Sequence, residues 1–132
     1  MLAVVATVAL QAQTVQPLPV ETEAKFLKVL LTSAGQFGFA CNDATLKAKL
    51  EEEGVSVGPG FKYAWGSSEP EVKALKAQDR FIICPSLDWI KAGAALALVE
   101  ENGKPALYAS TANVKASGMT LPDAIAKIAK KI

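Results

Sequence analysis

Histidine is missing from this 132-residue chain, and with it the commonest general base and metal ligand. Ser-His-Asp and Cys-His catalytic arrangements are therefore impossible. Zinc would have to rely on two cysteines and carboxylates, an unusual donor set for a closed site, so no metal and no cofactor are expected. Charge of one sign is equally scarce: 14 Lys and Arg against 13 Asp and Glu leave a net charge of +1. Nucleic-acid binding by counterion release needs basic residues clustered on one face, whereas these lysines are scattered among glutamates, so no nucleic-acid partner is expected. The longest N-terminal apolar run, Leu2 to Leu10, is far short of the roughly 20 residues that span a bilayer. Gly58-Pro59-Gly60 lacks the Lys-Ser/Thr of a phosphate-binding loop and reads as a turn. The Glu51-Glu52-Glu53 run reads as a solvated helix end rather than a cation site.

What the chain does contain is the material of one core. It is 51% hydrophobic and 20% charged, which fits a single globular domain of ordinary interior. Leu2 to Leu10 followed by Gln11-Ala12-Gln13 reads as the core and cleavage region of an export signal that lacks its basic start. The alternative is an ordinary first strand or helix. On the export reading, residues 1–12 are a truncated signal, residues 13–20, with Pro17 and Pro19, are a linker, residues 21–132 are the domain, and the location is periplasmic. The two cysteines of an exported chain would by default pair. Cys41 and Cys84 each end a predicted strand, and whether they bridge depends on strand order, the other outcome being two buried apolar thiols.

Strand and helix patterns alternate along the domain. Ala24, Phe26, Leu27, Leu30 and Leu31 suit a helix from Glu21 to Thr32. Gln36 to Cys41 reads as a strand, with Phe37, Phe39 and Cys41 alternating with small residues. Asn42 or Asp43 caps a helix over 44–53 stopped by Gly54. Val55 to Gly60 holds a rudimentary strand at most. Phe61 to Trp65 is a further strand, and Ser68 with Glu71 forms a capping box for a helix from Glu69 to Ala77. Arg80 to Cys84 is a strand, followed by a short helix from Leu87 to Ala92 capped by Ser86. Asn102-Gly103 joins two strands, Ala94 to Glu100 and Ala106 to Ser110, in a hairpin, because both central residues of a type I′ turn need positive φ. Pro105 lacks an N–H and belongs at an edge or bulge. Thr120 caps a final helix from Leu121 to Lys131. The fold class is α/β: a mostly parallel doubly wound sheet with helices on both faces and a C-terminal antiparallel hairpin.

The segment Lys91-Ala92-Gly93 through Gly103-Lys104-Pro105, then Val114-Lys115-Ala116-Ser117-Gly118-Met119, then a helix ending Ile128-Ala129-Lys130-Lys131-Ile132, resembles the YfiR/HmsC-like periplasmic family. Likeness is good over 81–132 and weaker over 24–68. Leu31-Thr32-Ser33-Ala34 stands where many members carry Trp-Pro, Ser110 stands near a family Asn, and the stretch between Glu53 and Phe61 is short. The resemblance implies a non-enzymatic regulator that binds the periplasmic region of an inner-membrane signalling protein, a diguanylate cyclase, and tunes cyclic-di-GMP output.

Three strand ends point to a binding edge: Asn42-Asp43, Gly66-Ser67-Ser68 and Pro85-Ser86-Leu87-Asp88-Trp89. Each follows a strand and opens a helix, and in a doubly wound sheet such ends gather where ligands usually bind. Free N–H groups and serine hydroxyls there would suit an anionic solute, which makes a single-lobe small-molecule carrier the rival reading. Helix capping alone is the commoner explanation of any one of the three. Trp65 and Trp89 near the same edge either stack on a partner or pack the core. A homodimer through the hairpin edge or a helix face is the expected form of any self-association, two-fold assemblies being commonest.

Overall fold

The computed structural model describes residues 15–132, and it begins with a strand where a linker was expected; the export segment lies outside the described residues. Val15–Gln16 (β1) pairs antiparallel with Glu101 and Glu100, and Leu18 is buried against the core between the two prolines. Two residues carry no detectable period, so this strand owes its existence to the partner edge. Val20–Ser33 (α1) buries Ala24, Leu27, Leu30 and Leu31, each fully buried leucine worth about 1.5–3 kcal/mol. Gly38–Phe39 (β2) is shorter than expected, and Phe37, expected to alternate inward, is 91% exposed. Gly38 is required by packing: a Cβ there would fall 2.2 Å from the Phe61 ring.

Ala44–Glu52 (α2) is capped by Asp43, which accepts from the N–H groups of Thr45 and Leu46. Ser56–Val57 (β3), Tyr63–Trp65 (β4), Glu69–Ala77 (α3) and Phe81–Cys84 (β5) follow. Leu87–Ile90 is a single 3₁₀ turn. Leu96–Glu101 (β6) and Lys104–Ala109 (β7) form the expected hairpin, with Asn102 at φ 53° and Gly103 at φ 81°. Thr111–Ala116 (α4) was not foreseen as a helix; Ser110 caps it through the Asn113 N–H. The last helix, Asp123–Ile128 (α5), is half the expected length and Thr120 does not cap it. Its end is pulled straight into Lys130–Lys131 (β8), which pairs parallel with Tyr108 and Ala109, while Lys130 Nζ donates to Glu101 at 2.8 Å.

The main sheet runs β4-β5-β6-β7-β8, with β4, β5 and β6 parallel and β7 antiparallel to β6. A parallel bridge between Ala40 and Ala64 joins the β2-β3 pair to its edge, through Ala40 N–H to Tyr63 O at 2.9 Å and Trp65 N–H to Ala40 O at 2.8 Å. The chain leaves β2 outward to β3 and then returns past it to β4, so strand order reverses between β2 and β4. Pro105 lies on the stretch of β7 that β8 does not reach, consistent with its missing N–H.

Two cores flank the sheet. Phe39, Cys41, Tyr63, Phe81, Ile83, Leu96 and Leu98 face α1, α2, α4 and α5. Ile82, Cys84 and Ala97 face α3 and the 3₁₀ turn, with Val72 and Trp89. Cys41 and Cys84 are both buried free thiols. The disulfide weighed from the sequence is absent, because β4 separates their strands by roughly twice 4.8 Å and their side chains enter opposite cores.

Candidate recognition site at the carboxyl edge

Because β2, β4 and β5 are parallel neighbours, Asn42-Asp43, Ser67-Ser68 and Ser86 all follow strand ends on one edge of the sheet. The first two meet directly. Glu71, one turn into α3, accepts from the Ser67 N–H at 2.8 Å, the Ser67 hydroxyl at 2.6 Å and the Asn42 amide at 3.0 Å. Ser68 Oγ accepts from the Glu71 N–H at 3.2 Å, but the carboxylate goes to Ser67 rather than back to Ser68, so the reciprocal capping box is not closed. Partial burial pushes the Glu71 carboxyl up, yet the bonds from Ser67 and Asn42 outweigh it and hold the group below its ordinary value.

Asp43 fills the start of α2 in the same way, and the Cys41 thiol donates to its carbonyl at 3.6 Å. Glu23 of α1 is 7% exposed, and its carboxylate accepts no hydrogen bond from the described residues. Burial first, and then the charge of Asp43, push its carboxyl from 4.5 up to about 8. Sequence reasoning missed Glu23, although its spacing one turn before Leu27 put it on the buried stripe. The switch point is thus self-satisfied: its N–H groups are occupied by the chain's own carboxylates, and Trp65 beside it is a core residue, 2% exposed and edge-on to Phe39 at 6.4 Å.

The third strand end is open. Ser86 Oγ accepts from the Asp88 N–H at 3.2 Å and so starts the 3₁₀ turn. Between that turn and β1 lies a groove of about 390 Å³, lined by Val15, Pro17, Leu87, Asp88, Trp89 and Val99 among others. β5 stops at Cys84, paired only as far as Ala97, and β1 takes up the same flank of β6 at Glu100 and Glu101, so the groove fills the gap between the two. Gln16 fastens this wall by donating to Glu100 at 2.7 Å. From the far side, the Asn113 amide donates to Ile90 O at 2.8 Å and Ala94 O at 2.9 Å, bracing the loop that follows Trp89. Neither β1 nor Asn113 was anticipated as part of the site. Asn42, Asp43, Ser67 and Ser68 do not line this groove; Ser86, Asp88 and Trp89 do.

No family model and no curated protein matches the chain. Solved structures match its fold. A conserved domain protein from Vibrio cholerae O1 biovar El Tor N16961 superposes with a TM-score of 0.61 at 12% identity, over 86% of this chain and 60% of the other. An ABC domain from Streptococcus pneumoniae, solved in complex with L-Trp, gives 0.59 at 11% identity over 86% and 61%. The chain spans about three-fifths of these structures, and at such identities the likeness is one of α/β fold.

Both thiols sit far from nucleophilic poise. Burial pushes Cys41 up to about 11 and Cys84 up to about 12. Among the described residues no three Cys, Asp or Glu side chains converge as a metal-binding set, and no helix is long and apolar enough to cross a membrane.

Proposed function

We propose that this domain is a non-enzymatic recognition module whose working surface is the groove between β1 and the Pro85–Trp89 turn. The observation that carries this reading is the contrast along one edge. At two strand ends the N–H groups are taken by internal carboxylates and the cavity beside Asn42 and Glu71 is only about 180 Å³, whereas the third opens into one of about 390 Å³ walled by an indole and aliphatic side chains. Ligand sites of α/β sheets favour such strand ends, and this size and mixed lining are those of small-molecule pockets.

The finer reading follows the resemblance to the YfiR/HmsC-like family: a periplasmic regulator that restrains an inner-membrane diguanylate cyclase by binding its periplasmic region. A solute-carrier role is the second reading, favoured by the S. pneumoniae domain of like fold, which was solved with L-Trp bound. An anionic solute fits the groove poorly, because Asp88 is the one charged side chain among the described residues that line it. Replacing Trp89 by Ala should raise the dissociation constant for the cyclase's soluble periplasmic region about tenfold or more, while the cooperative melt is retained. A variant that binds with unchanged affinity removes the groove from the reading. Thermal-shift screening separates the two roles, since a carrier gains stability with its ligand by mass action and a protein regulator responds only to its partner.

A further inference from the structure

Among the described residues Asp88 is the one charged side chain lining the groove, it is exposed, and its carboxylate has no partner there: the ion pairs use Lys49, Lys73 and Lys130. Next to it the half-buried Trp89 is anchored in the core beneath the sheet, with its neighbour Leu87 and with Val99 completing an apolar wall. An indole face and a carboxylate act in the same sense on a cation, the first through its quadrupole and the second by Coulomb attraction. Both act against an anion.

We infer that the groove selects small amines, an ammonium group carried on an aromatic or aliphatic body, with Asp88 taking the charge and Trp89 the stem. The inference rests on the groove being the recognition surface and adds to it the sign of the ligand. Its volume suits one such molecule rather than a folded segment. Asp88 is argued as a specificity residue: nothing in the fold depends on its carboxylate, since only its backbone N–H is bonded.

Calorimetric titration of the full chain with three probes of matched size tests this: 2-phenylethylamine, 2-phenylethanol and 3-phenylpropanoate. The amine should bind about tenfold or more tightly than the carboxylate, with the alcohol between them. Raising the salt should weaken the amine most. In Asp88→Asn, whose exposed position leaves folding intact, the three affinities should converge. Equal binding of amine and carboxylate to the native chain overturns the charge selection and leaves the groove standing. An amine preference that survives in Asp88→Asn overturns the role of Asp88. Failure of all three probes to bind overturns the amine selection and leaves the groove to be judged by Trp89→Ala against a protein partner.

Discussion

Other than the thiols and Tyr63, Glu23 is the one ionisable side chain buried among the described residues. It sits on the buried face of α1, faces the Asp43 carboxylate from the start of α2, and has no donor among the described residues. Its folded carboxyl titrates at about 8 against an ordinary 4.5, so between those values the native state holds a proton that the unfolded chain has lost. Stability contributed by this group is complete below pH 4.5, falls as pH rises, and is gone above pH 8. Thermal melts from pH 5 to pH 9 should show the melting temperature falling, and Glu23→Gln should flatten that slope and be the more stable form at pH 8. The Cys41 and Cys84 thiols, pushed up from an ordinary 9.0, add to the fall only as pH approaches 9. A carboxylate at this position was invisible to a reading that looked for apolar residues, because the periodicity that buries Leu27 and Leu30 buries Glu23 regardless of its chemistry. Glu71, by contrast, was legible as a capping residue, but its partners were not: Ser67 is local, whereas Asn42 is 29 residues away and arrives only through the β2-β4 bridge.

Among the elements, α4 and β8 decide how the C-terminal third packs, and α4 supports the groove. Ser110 follows β7 and caps α4, and this places the Asn113 amide under the carbonyls of Ile90 and Ala94. Asn113→Ala would take a donor from the Ala94 carbonyl and leave Ile90 O with the Gly93 N–H alone, at a cost of about 2 kcal/mol. Denaturant unfolding should report that loss, and amide exchange in the loop after Trp89 should accelerate before exchange in β5 or β6 does. β8 is held by Tyr108, Ala109 and the Glu101 carboxylate, which Lys130 first and then Tyr108 hold below its ordinary value. Helix propensity carried the expectation of one helix to Lys131. The open flank of β7 won instead, because pairing there satisfies backbone groups that a frayed last turn would leave to solvent. The hairpin needed no such context: Asn102-Gly103 specifies its turn locally, and the strands run on to pair Glu101 with Lys104 on either side of it.

At the scale of the molecule, the two cores are chemically separate because the sheet lies between them, and each encloses one thiol. Adding reductant should therefore leave the melting temperature unchanged. A thiol reagent should label neither cysteine in the native state and both on unfolding; labelling or crosslinking of the native chain would contradict the two-core arrangement. The amino-acid sequence by itself determined the α/β class, the identity of the central strands, the hairpin, and the fact that three strand ends share an edge, since these follow from local period, caps and turn residues. Only the tertiary structure decided which of those ends stays open. Asp43 and Glu71 act at their own helix starts, but Asn42 reaches Glu71 from 29 residues away, and β1, placed by a gap in the flank of β6, turns the third end into a groove.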